Sequence, residues 1–198
     1  MSRVFWILVL AACSADSSAY VAGFSPPPPT PGHTRMIAPP VPDIAPGKDV
    51  TYCQWMADAS DVSRQIANVE GYQSHGGHHL VLYATTVREP VGTSRVCTDQ
   101  DMLSITFVGA VGGEGTSGPG AKLPAGLAFE VPPGMALMAN THYLNATDDA
   151  FDGQSVVDVK FADPAHPLPS VGFFVVNWAS FMIPHGTPEV TSDGWCTA

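Results

Sequence analysis

The pattern of apolar and polar positions divides the chain from residue 80 onward into short runs rich in β-branched and aromatic residues: 80–87, 102–108, 126–131, 135–144, 155–161 and 171–181. Clusters of Gly, Pro, Asn and Asp separate them. Side chains two residues apart share one face of a strand, so these runs predict strands, and their spacing predicts an antiparallel sandwich or jelly roll. The best helical candidate, 57–69, is short and has no clear apolar stripe. The fold class read from the pattern is therefore all-β.

Ahead of these runs the pattern changes. Residues 24–47 are rich in proline, with Pro26 to Pro29 in succession, and carry almost no apolar periodicity. Such composition reads as a stiff tether over 13–47, with the folded part beginning near Lys48. Arg3 precedes an apolar run, 4–10, that is too short to span a bilayer and is placed like a signal-peptide core. The run ends in Leu10-Ala11-Ala12-Cys13, which resembles a bacterial lipoprotein signal with Cys13 as the lipidated first residue. The alternative is an ordinary cleaved secretory signal over 1–12 with an incidental cysteine. Both readings export the chain, to the cell envelope or the medium, and a membrane would be met only through a lipid at Cys13.

Eight basic against eighteen acidic residues give a formal charge of −10, which argues against nucleic acid as a partner. After Cys13 come Cys53, Cys97 and Cys196. An odd number in an exported chain implies one disulfide and one leftover thiol, and we pair Cys53 with Cys97, leaving Cys196 over.

The chemistry concentrates in Ser74-His75-Gly76-Gly77-His78-His79, just before an apolar run. Neighbouring side chains on a regular strand point to opposite faces, so His78 and His79 cannot both reach one ion from an ideal strand. Gly76 and Gly77 permit a twist or bulge that brings the two imidazoles together. A third ligand is available in His142, which alternation places on the face shared by Met138 and Asn140. Three imidazoles with an open position suit copper or zinc. Spacing alone leaves His142 equally readable as a satisfied polar residue beside Tyr143. His75 reads as a fourth ligand, as a partner orienting His78, or as a solvent-exposed side chain. Met135, Met138 and Met182 read as core, and His33, His166 and His185 as loop residues. Glu114 has the chemistry of an acid or base but no evident partner. Asn145-Ala146-Thr147 matches a glycosylation sequon, incidental in a bacterial lipoprotein.

Four segments in order resemble the copper type II, ascorbate-dependent monooxygenases, the family of peptidylglycine alpha-hydroxylating monooxygenase and dopamine beta-monooxygenase. They are His78-His79 with Leu80-Val81-Leu82-Tyr83, Val111-Gly112-Gly113-Glu114-Gly115, Leu123-Pro124-Ala125-Gly126-Leu127-Ala128-Phe129, and Thr141-His142-Tyr143-Leu144-Asn145. Tyr52-Cys53 and Val96-Cys97-Thr98-Asp99 resemble the family's disulfide-bearing segments, although Ala84 stands where a further family cysteine is expected. The resemblance implies two jelly-roll copper domains, the first holding an electron-transfer copper through His78, His79 and His142. That domain would span 48–165, and 166–198 would be the opening strands of an incomplete second one, with the family partner of Cys196 further along. The second domain's copper ligands in the family are a His-X-His pair and a methionine, and this sequence has no His-X-His and no methionine after Met182. The implied function is the electron-transfer copper half of a C–H hydroxylase that uses dioxygen and ascorbate. Its implied partners are ascorbate as reductant, a small-molecule or peptide substrate, and a protein supplying the second copper site. The alternative is a non-catalytic exported lipoprotein: a copper-binding or interaction module, or a truncated remnant.

Overall fold

The computed structural model describes residues 20–115 and 123–172. In chain order the strands are β1 (Thr34–Ile37), β2 (Val41–Ile44), β3 (Asp49–Ala57), β4 (Arg64–Gln73), β5 (Gly77–Thr85), β6 (Ser94–Val96), β7 (Ile105–Gly112), β8 (Ala128–Val131), β9 (Ala136–Leu144), β10 (Phe151–Gly153), β11 (Ser155–Phe161) and β12 (Ser170–Val171). One sheet has the order β1-β11-β4-β8-β12, a second β6-β3-β9-β5-β7, and β10 pairs with β2 in a two-stranded ribbon. The protein is an all-β sandwich, as the strand-like runs and their spacing predict.

The core lies between the two five-stranded sheets. Leu80, Leu82 and Ala84 of β5, Leu137 and Ala139 of β9, and Val108 and Val111 of β7 meet Ile66, Phe129, Val131, Val157 and Val159 of the other sheet. β5, β8, β9 and β11 supply alternate residues, so their intervening side chains face outward, whereas β7 supplies Val108 and Val111 across a register shift in its pairing with β5. On the outer face of the second sheet a smaller cluster gathers Cys53, Trp55, Ala136 and Met138 under Tyr83, Val87, Cys97 and Met102. The Cys53–Cys97 disulfide closes a 44-residue separation across this cluster. Met135 and Met138 are core residues, as expected.

Two expectations are corrected, the tether and the run 102–108. Residues 34–44 belong to the folded domain rather than to a tether: β1 pairs with β11, Val41 is fully buried, and the main chain between them is held by side chains from the domain. Gln54 Nε2 donates to the Pro39 carbonyl at 2.7 Å and Gln154 Nε2 to that of Ala38 at 3.1 Å. Proline removes a donor but leaves a carbonyl, so a proline-rich segment can still be stitched down through its acceptors. In the candidate 57–69, which has no clear helical stripe, Arg64 onward is strand β4, its half-buried faces set by pairing with β11 and β8. The run 102–108 is divided between a 3-10 turn at Asp99–Met102 and β7, which starts at Ile105.

Asn145 of the sequon is fully buried. Its Nδ2 donates to the carbonyls of Ile44 and Asp149, and its Oδ1 accepts from the Thr147 amide and hydroxyl. The side chain is a structural staple in the turn after β9. The signal residues 1–19, Cys13 among them, lie outside the described residues, as do Met182, His185 and Cys196. No helix among the described residues is long and apolar enough to cross a membrane.

Candidate metal centre

Strands β5 and β9 are adjacent and antiparallel, and His79 pairs directly with His142. Directly opposed residues hold their Cβ atoms about 5 Å apart, so two imidazoles share the outer face of the second sheet by register alone. Pairing then skips: Gly77 is opposite Tyr143, leaving His78 as the extra residue of a bulge. The bulge turns His78 to the face that His79 already occupies. Two glycines make room for it. Gly76 has φ of +72°, and a Cβ there would lie 2.1 Å from Phe151 Cζ; at Gly77 it would lie 2.3 Å from Gln73 Cβ.

His78 Nδ1 stands 3.0 Å from His79 Nδ1 and 3.1 Å from His142 Nδ1. The three residues offer ligand atoms that all lie within 4.8 Å of one another. Two nitrogens each about 2.05 Å from one ion at an angle of about 95° are about 3 Å apart, so the spacing fits an imidazole-bound metal. The cluster can hold a metal ion. His79 and His142 are half-buried and His78 is exposed, so the site opens on the His78 side.

Asp49, at the start of β3, completes the arrangement. Thr51 of β3 pairs with His142, and Asp49 lies two residues along the same face, a diagonal neighbour of His142. Its carboxylate Oδ1 accepts from His142 Nε2 in a short contact. That bond keeps the proton on Nε2 and leaves the Nδ1 lone pair toward the cluster, the usual carboxylate–histidine–metal pattern. Burial lowers the pKa of His79, and His142 and His78 lower it further against the opposing pull of Asp49. A neutral imidazole is the form that binds metal. Behind the site, Tyr143 donates or accepts a 2.7 Å bond with Ser155 Oγ, and burial pushes its pKa up to about 12.

His75 is not part of the cluster. Its ring packs on Phe151, and its Nδ1 meets Glu114 Oε1 at 3.1 Å. Glu114 Oε2 also accepts from the Gly76 amide, so this carboxylate straps the glycine turn that precedes the bulge. The bond from His75 holds the Glu114 carboxyl below its ordinary pKa, with the Gly76 amide adding to it. The glycine loop thus supplies Glu114 with the partner that its sequence context leaves unseen. His33 is a loop residue with a nearly buried ring: Nδ1–H donates to the Thr30 carbonyl, and Nε2 faces Asn68 Nδ2 at 3.1 Å. His166 is an exposed loop residue beside Asp163.

Sequence reasoning missed Asp49 because the pairing register of β3 and β9 is not readable from either strand alone. Comparisons of the chain with family models, with curated proteins and with solved structures find no match.

Proposed function

We propose that this protein is an exported copper protein, the electron-transfer half of an ascorbate-dependent monooxygenase, with its sandwich connected as a jelly roll and Cys13 carrying a lipid. The observation that supports this reading most strongly is the meeting of His78, His79 and His142 through one bulge and one strand pair. A three-imidazole donor set accepts copper or zinc, and the choice of copper rests on the family resemblance. The Cys53–Cys97 disulfide is compatible with an oxidising compartment.

Copper bound here supplies a one-electron couple. The three histidines present neutral nitrogens to it, Asp49 fixes the His142 tautomer, and the apolar sheet behind His79 keeps water to one side. The exposed His78 edge is where a small reductant such as ascorbate reaches the site. In this reading dioxygen activation and the small-molecule or peptide substrate belong to the second copper site, whose His-X-His pair is not within this sequence and which a partner would supply. A second reading, a copper-binding or interaction module without catalysis, is favoured by the single cluster of this kind among the described residues.

The test is anaerobic reduction of the copper-loaded protein by ascorbate, followed by a one-electron acceptor, with the Cu(II) paramagnetic signal as readout. The proposal expects one reversible electron per chain, absent in His142→Ala. A copper that ascorbate does not reduce would support the non-catalytic reading instead.

A further inference from the structure

At the far end of β4 from Gln73, about 30 Å along the strand, a cavity of about 450 Å³ opens where β4 begins and β11 ends. That volume falls in the range of small-molecule sites. Its walls are largely apolar, with Val62, Phe161, Pro164 and Pro167 around Arg64, and Glu130 completes the rim. Arg64 differs from the other half-buried arginines. Arg35 makes a two-pronged pair with Asp158 at 2.8 and 2.6 Å, and Arg95 makes one with Asp101 at 2.6 and 2.7 Å. Arg64 has no carboxylate within 4 Å among the described residues. Its Nε is buried without a hydrogen-bond partner, Nη2 reaches only the Asp58 carbonyl at 3.2 Å, and the guanidinium lies 5.8 Å from the Phe161 ring centre. Desolvation lowers its pKa, as is expected of a cation lacking a counter-charge.

We infer that this cavity binds a small monocarboxylate with an apolar body, its carboxylate on Arg64 and its body against Val62, Phe161 and the two prolines. A guanidinium desolvated beside apolar walls leaves donors that a planar carboxylate satisfies in a two-pronged bond. Glu130 narrows the class. Its Oε1 accepts from Ser63 Oγ at 2.8 Å, which holds the side chain on the same rim, where its carboxylate repels a second negative charge. Phosphates and dicarboxylates are therefore disfavoured, and a single carboxylate with apolar bulk is favoured. This site is independent of the histidine cluster and of any metal.

The experiment is calorimetric titration of the whole metal-free chain with decanoate, with decanol as the neutral counterpart. Decanoate is expected to bind one per chain and more tightly than decanol. Arg64→Met should weaken decanoate about ten- to a hundredfold while leaving decanol unchanged. Glu130→Gln should tighten decanoate, which keeps the inference testable if the arginine variant does not fold. Decanoate binding no tighter than decanol, or unaffected by both substitutions, would overturn it, as would the absence of decanoate binding at millimolar concentration.

Discussion

Gly76 sits on the turn that delivers His78, and its replacement by alanine separates two physical costs. At φ of +72° a side chain with a Cβ is in the left-handed region, which costs about 1–2 kcal/mol. The new Cβ would also lie 2.1 Å from Phe151 Cζ, a ring packed against His75 and against the cluster of Val41, Ile44 and Tyr143. Moving that ring adds about 1 kcal/mol, the low end for overpacking because only the ring tip is struck. Gly76→Ala should therefore lose about 2–3 kcal/mol, or about 1–1.5 M in urea midpoint for a slope near 2 kcal/mol/M. Two other glycines isolate the terms. Gly126 has φ of +85° with nothing within 4 Å of a Cβ, so its alanine variant should lose only the backbone term, about 1 kcal/mol. Gly112 has neither positive φ nor a close neighbour, so Gly112→Ala should be neutral or stabilising by about 0.5 kcal/mol. Equilibrium urea unfolding of the metal-free protein should rank Gly112→Ala highest, then wild type, Gly126→Ala and Gly76→Ala. Equal midpoints for Gly76→Ala and Gly126→Ala would refute the packing argument at the bulge.

Asp49→Ala should weaken copper binding about tenfold in a competition titration with a chromophoric chelator, the low end for a ligand-orienting carboxylate because Asp49 is 66 % exposed. Unchanged affinity would remove Asp49 from the site. His79 titrates below its ordinary value of 6.5 in the fold, so the unfolded chain binds that proton first as pH falls. Stability of the metal-free protein is then full above that ordinary value and declines as pH drops through the lowered one. His79→Gln should flatten the decline in urea midpoints measured from about pH 7.5 to 5; an unaltered slope would assign it to other groups. Replacing Cys53 and Cys97 by alanine removes a cross-link over 44 residues and should cost about 2–4 kcal/mol by the same unfolding assay. A loss under about 1 kcal/mol would mean that the outer cluster holds without it.

The sandwich was legible because β5, β9 and β11 lie in short runs rich in apolar, β-branched and aromatic residues bounded by turn residues, and their inward residues form one core. The bulge was legible in Gly76-Gly77 ahead of paired histidines, because only a register break puts consecutive side chains on one face. What stayed hidden depends on partners distant in sequence. The segment 34–44 looks like a linker because its own side chains carry no period, yet Gln54, Gln154 and β11 supply its bonds. Asp49 and Glu114 are ordinary acids until β3 and the glycine loop bring them to His142 and His75. β4 misleads because its residues are half-buried between two neighbours, so its pattern shows neither a helical stripe nor strict alternation.

The central claim is a copper centre built from His78, His79 and His142. The most direct test is the metal content of the purified protein after copper loading and desalting, with His142→Ala prepared alongside. About one copper per chain, lost in the variant, is the expected result for a three-imidazole site. Copper retained in full by His142→Ala, or no stoichiometric copper in the intact protein, would contradict it.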